Sequence, residues 1–164
     1  MKIAAAARIF ASHYQIVVCD DVSAFTEETN WRDGDLEKGF AGNERFRMVC
    51  TEADMNDHWV EVLIAESPPD FDPWQRVTCV GLKCISGRVH VMSVIDDDPP
   101  ISLDLPEGEY SVFVAGCNLG IDQNSLGEEG DLTDEQLAKR KDLEWYRIFL
   151  VPGNPEKMGK LKDT

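Results

Sequence analysis

The stretch from Gly87 to Cys117, GRVHVMSVIDDDPPISLDLPEGEYSVFVAGC, constrains the fold more than any other part of this chain. It holds three apolar runs: Val89 to Ile95, Ile101 to Leu105 and Tyr110 to Ala115. Valine, isoleucine and aromatic residues dominate them, and these types suit a pleated, half-buried surface. The breaks between the runs are chemically sharp. Asp96-Asp97-Asp98-Pro99-Pro100 cannot continue a ladder, because each proline lacks a backbone donor. Pro106-Glu107-Gly108 reads as a tight reversal, with proline setting φ and glycine suiting the exit. The pattern predicts three consecutive strands, the last two forming a hairpin.

The rest of the chain repeats this texture. Further strands are predicted at Tyr14–Cys19, Arg45–Thr51, Asp57–Ala65, Trp74–Lys83 and Leu143–Val151, the last in the chain. On Arg45–Thr51 the alternation of Phe46, Met48 and Cys50 implies one apolar face. On Asp57–Ala65 the wholly apolar set Val60, Val62 and Ile64 should face the core. Ser86-Gly87 should turn one strand of a meander into the next. A short helix is expected between Trp31 and Phe40, capped by Asp33 or Asp35 and ended by Gly39 or Gly42. A second runs from Thr133 to about Lys141, where Thr133 and Gln136 form a capping box. Residues 118–132 form a long acidic loop. Residues 1–13 read as a short helix or a disordered arm, and 154–164 as a fraying tail.

Connections this short do not suit parallel βαβ units. The fold expected is all-β: one domain over 1–164, an antiparallel β-sandwich of about eight strands with two short peripheral helices.

The 31 acidic side chains against 16 Lys and Arg give a net charge of -15. That sign repels nucleic acid and anionic membranes and attracts basic proteins or cations. No run reaches the ~20 apolar residues of a membrane helix. At the N-terminus Arg8 cuts an apolar stretch short of a signal peptide, so no export is expected. Five cysteines, at 19, 50, 79, 84 and 117, lack a Cys-x-x-Cys pair, and four lie in strand-like runs. This reads as free thiols in a reducing cytoplasm.

No catalytic motif stands out. There is no Gly-x-Ser-x-Gly elbow, Walker loop or dinucleotide fingerprint. His13, His58 and His90 have no metal-ligand spacing, and His90 should lie on the solvent face of its strand. Cys79 and Cys84 should point to opposite faces. Asp122-x-Asn124-x-Leu126-Gly127 resembles an EF-hand start, but Leu126 and Thr133 stand where ligand oxygens are needed. The chain is therefore read as a non-enzyme without cofactor or metal. The residues expected to meet a partner are Asp96, Asp97 and Asp98, the loop acids Glu128, Glu129 and Asp131, and Trp31 as an aromatic anchor, with Trp74 a second candidate anchor. The partner expected is a basic protein. The alternative is a sandwich that binds a small ligand or Ca²⁺.

Two segments carry a resemblance. The first is Asn30 to Ala41 (NWRDGDLEKGFA), running into the strand at Arg45–Met48, with Glu37, Lys38, Gly39, Phe40 and Ala41 matching clearly. The second is Gly87–Val94 (GRVHVMSV) followed by Ile101–Tyr110 (ISLDLPEGEY). Over roughly residues 14–117 the chain resembles the competence protein J family, the ComJ-type inhibitors of DNA-entry nucleases. It departs from the family in a longer acidic loop at 118–132 and in an added helix and strand. The resemblance implies a small, soluble, β-rich protein that binds and silences a nuclease. A carboxylate surface can occupy a groove built for a polyanion, gaining on-rate from complementary charge.

Overall fold

In the computed structural model, residues 2–122, 133 and 139–164 are described. Among them are eleven strands in two sheets. The six-stranded sheet has the order β1 (Ala5–Ala11), β5 (Asn56–Ile64), β10 (Trp145–Pro152), β9 (Gly108–Cys117), β6 (Arg76–Cys84), β11 (Gly159–Asp163). The five-stranded sheet runs β3 (Phe40–Asn43), β4 (Phe46–Cys50), β2 (Gln15–Cys19), β7 (Arg88–Met92), β8 (Ile101–Asp104).

Alternation along each strand explains the sandwich-like packing. Ile9, Val60, Val62, Val80, Leu82, Tyr110, Val112, Val114, Tyr146, Ile148 and Leu150 meet Ile16, Val18, Val49, Val89, Val91 and Ile101 in one core between the sheets. Burying each such side chain contributes about 1.5–3 kcal/mol. The intervening residues of the large sheet are also buried. Val77, Cys79, Phe113, Ala115, Phe149 and Val151 form a second cluster beneath Phe71 and Trp74. A sheet covered on both faces reads as continuous apolar runs, which is what the sequence shows. Cys79 and Cys84 do fall in different clusters, on opposite faces.

Several expectations are corrected. The strands number eleven rather than about eight. They are not all antiparallel: β10 inserts between β5 and β9, parallel to β5 and antiparallel to β9. Leu143–Val151 is not the last strand. The reversal at Pro106-Glu107-Gly108 makes no hairpin, because β8 and β9 lie in different sheets. It carries the chain across the core, and the Tyr110 hydroxyl donates back to the Pro106 carbonyl at 2.7 Å, as in a tyrosine corner. Ser86-Gly87 likewise crosses from β6 to β7. Within Gly87–Cys117 the hairpin is instead β7–β8, which closes over the Asp96–Pro100 corner.

Neither terminus is loose. Residues 5–11 form β1, whose Ala5, Ala7, Ile9 and Ala11 face the core. Small alanines hid that alternation. In the tail, β11 pairs with β6 through a bulge between Lys160 and Lys162. Of the expected helix between Trp31 and Phe40, one turn forms (α1, Asp35–Lys38), ended by Gly39 at φ 89° with its N–H on the Asp35 carbonyl. The helix expected at 133–141 lies largely outside the described residues.

β4 is buried on both faces, not one. Val49 faces the main core, while Phe46 and Met48 face outward beneath Ala24, Trp31 and Val94. Gly42, in the β3–β4 hairpin, sits at φ 101°, and a Cβ there would stand 2.0 Å from the Phe46 carbonyl oxygen. Asp20 closes one end of the sandwich. It accepts from Arg45 at 2.7 Å and from the Ile85 and Ser86 amides at 2.8 and 3.0 Å.

Candidate functional site

The opposite end holds most of what the sequence singled out. Strand register defines it. Gln15 pairs with Cys50, Val17 with Met92, Ala11 with Asn56 and Trp145 with Cys117. The links 12–14 and 51–55 join the two sheets there, and the Asp96–Asp98 corner and residues 118–122 emerge beside them.

Along the outer face of the five-stranded sheet, from Gln15 at this end to Phe46 near the Asp20 end, runs a cavity of about 420 Å³. Phe46, Met48 and Met92 contribute to its lining along with Phe25 and Val94, and Asp96 and Asp97 belong to the same lining. Phe25 is 44% exposed and rests against Phe46 at 5.6 Å between ring centroids. The Asp96 carboxylate accepts from the Ser93 amide at 2.9 Å, which fixes the corner. Asp97 and Asp98 are exposed, with no ion pair among the described residues. Trp31 packs on the outer cluster and donates its indole N–H to the Gln15 side chain at 2.6 Å, and Gln15 is part of the cavity wall. The structure thus brings Asp96 and Asp97 to one groove, with Trp31 bonded to its Gln15 wall and Asp98 the next residue in the chain. Glu128, Glu129 and Asp131 lie outside the described residues. Trp74, a candidate anchor from its sequence position, is only 6% exposed; it packs edge-on against Trp145 at 5.3 Å and belongs to the core.

Beneath this end lies a buried polar cluster that no sequence motif announced. Glu144 is 0% exposed. Its carboxylate accepts from the Ala53 amide (3.0 Å), the Gly120 amide (2.7 Å), the Glu52 amide (3.0 Å) and the Tyr146 hydroxyl (2.6 Å). The His58 imidazole is buried alongside, 3.0 Å from the Glu144 carbonyl through Nδ1 and 3.4 Å from its carboxylate through Nε2. Burial, with the Glu144 charge beside it, pushes the Tyr146 phenol well above its ordinary pKa. One carboxylate therefore fastens loops 51–55 and 118–121 together.

Those loops carry strain. The non-glycine residues with positive φ among the described residues are His13 (60°), Tyr14 (61°), Met55 (53°), Asn118 (55°) and Arg140 (51°). All five belong to the loops at this end. For bulky residues the left-handed region costs about 1–2 kcal/mol each.

A separate charged cluster sits on the outer face of the large sheet. Glu61 accepts from Arg147 at 2.8 Å and the Trp59 indole at 3.0 Å, and pairs with Lys141 at 2.8 Å. Lys141 lies 4.3 Å over the Trp145 ring, and Arg147 lies over both Trp74 and Trp145. Burial pushes the Glu61 carboxyl up, but hydrogen bonds from Lys141, Trp59 and Arg147 outweigh it and bring it down to about 2. His90 is half-buried on its strand and bonds Ser102 at 2.7 Å. No group of three or more His, Cys, Asp or Glu side chains suited to a metal ion occurs among the described residues.

The family model for competence protein J (ComJ) matches residues 8–140 of the chain. The chain belongs to the competence protein J family. That match extends beyond the 14–117 span carried by the sequence resemblance. Two solved structures share the fold. One is ComJ from Bacillus subtilis, described as an inhibitor of the DNA degrading activity of NucA. It is 16% identical with a TM-score of 0.65, over 93% of this chain and 98% of that one. The other is the crocagin biosynthetic gene J protein, 17% identical with a TM-score of 0.51, over 92% and 97% of the two chains. No curated protein matches the chain in sequence.

Proposed function

We propose that this ComJ-family chain inhibits a DNA-degrading nuclease by binding it as a protein ligand, without chemistry of its own. The observation that carries this is the groove along the outer face of the five-stranded sheet: an apolar floor of Phe46, Met48 and Met92 beside the carboxylates of Asp96 and Asp97, with Asp98 next in the chain. A nuclease binds a polyanion through basic groups, so carboxylates flanking an apolar floor complement it in charge while the floor supplies buried area. Trp31 acts by holding Gln15 in the groove wall. Glu128, Glu129 and Asp131, outside the described residues, stay contact candidates on their charge alone. The solved relative's action on NucA supports the reading. The unpaired cysteines suit a reducing compartment, the cytoplasm. No helix among the described residues is long and apolar enough to cross a membrane.

The test is a DNA-degradation assay with the NucA-type nuclease of the source organism, titrated with this protein. Stoichiometric loss of cleavage is expected. The triple charge reversal Asp96→Lys, Asp97→Lys, Asp98→Lys should weaken the complex by ~10-fold or more at low salt and flatten its salt dependence. Unchanged affinity and an unchanged salt slope would remove the corner from the interface.

A further inference from the structure

We infer that Tyr14 and Met55 form a preorganised apolar anchor that seats in the basic nuclease surface next to the groove; this rests on the inhibitor reading above. Tyr14 is 52% and Met55 65% exposed, large side chains held out in solvent. Both sit in the left-handed region, at φ 61° and 53°, where glycine would be relaxed. The chain keeps a tyrosine and a methionine there instead, and it holds them firmly. One carboxylate oxygen of Asp54 accepts from the Tyr14 amide at 3.1 Å and the Met55 amide at 2.8 Å. The Thr51 amide donates to the Tyr14 carbonyl at 2.8 Å, and the Met55 amide also reaches the Ala11 carbonyl at 2.8 Å. Glu144 pins the Glu52 and Ala53 amides of the same loop from below.

Strained backbone that the surroundings over-determine is typical of functional loops, and an ordered anchor loses little freedom on binding. Tyrosine and methionine are the side chains interfaces favour. The partner's chemistry follows from position. Tyr14 directly precedes Gln15 of the groove wall, and Asp54 and Asp57 lie within two residues of Met55. A second copy would bring two chains of net charge -15 together, so a basic surface with an apolar pocket is the occupant the charges favour.

The experiment measures affinity for the NucA-type nuclease of the source organism, with Bacillus subtilis NucA as a second probe. The double variant Tyr14→Ala, Met55→Ala should bind ~10-fold or more weakly with the salt slope unchanged, since no charge is removed. Tyr14→Gly relieves the strain, so its thermal midpoint should rise while its affinity falls, which separates contact loss from misfolding. Wild-type affinity in both variants overturns the anchor and leaves the inhibitor reading standing. A wild-type protein that neither binds nor inhibits either nuclease overturns both. Self-association that the double variant abolishes, with nuclease affinity intact, overturns the anchor in favour of a second copy.

Discussion

Glu144→Ala is expected to destabilise the protein by about 4 kcal/mol. Three amides, those of Glu52, Ala53 and Gly120, lose their acceptor, and each orphaned donor costs about 1–3 kcal/mol. The Tyr146 hydroxyl loses its 2.6 Å partner as well. Against this stands the cost of burying a carboxylate, which the variant no longer bears. The amides dominate, because an alanine offers them nothing and the Ala53 amide in particular is buried, out of reach of a replacement water. Glu144→Gln keeps one acceptor oxygen but turns an N–H₂ toward amide donors, so about 2 kcal/mol is expected. In a denaturant titration the midpoint should fall with the slope unchanged. For a chain of this length the larger loss corresponds to a fall in Tm of roughly 10 °C. Hydrogen exchange at residues 52, 53 and 120 should accelerate first. A loss under about 1 kcal/mol, with those amides still protected, would show that the carboxylate is not the fastener. Loosening this clamp should also weaken nuclease binding, because it supports the loop that carries Met55.

The second large effect is an acid limb set by Glu61. Its carboxyl is lowered from 4.5 to about 2 in the folded protein, where hydrogen bonds from Lys141, Trp59 and Arg147 outweigh burial. A depressed carboxyl pKa stabilises the fold at pH values above the unfolded pKa. That contribution is lost as pH falls from about 4.5 toward 2, since the unfolded chain takes up the proton first. It amounts to about 3 kcal/mol. Glu61→Gln should therefore lower stability at pH 7 and show a flatter decline between pH 5 and pH 2.5, the two curves converging at low pH. Parallel curves over that range would mean that Lys141 and Arg147 do not hold the carboxylate in its charged form. The cations stack on Trp74 and Trp145, so indole fluorescence reports the same titration.

Local patterning already decided much of this protein. Alternation marks β5 and β7 because a strand's side chains change face at every residue, and near-continuous apolar runs mark β6 and β9 because both of their faces are covered. Proline and aspartate mark the Asp96–Pro100 corner because neither continues a ladder. Gly39 marks the end of α1 because it tolerates φ 89°. The family was legible too, from the Glu37–Ala41 group and the Gly87–Tyr110 stretch. The apolar face of β4 was visible, but not that Phe46 and Met48 turn away from the main core.

Sheet membership was decided only in three dimensions. Which strands pair depends on segments far apart along the chain, so a turn such as Pro106-Glu107-Gly108 reads alike whether it makes a hairpin or crosses between sheets. The parallel seat of β10 beside β5 is of the same kind, since about eighty residues separate them. β1 was hidden because alanine gives almost no hydrophobic contrast. The groove needed Phe25, Met48, Met92 and Asp96 from four separate segments. Glu144 looked like any of 31 acids, and only burial against three amides distinguishes it. A carboxylate's role depends on the donors that surround it, and distant parts of the chain supply those donors.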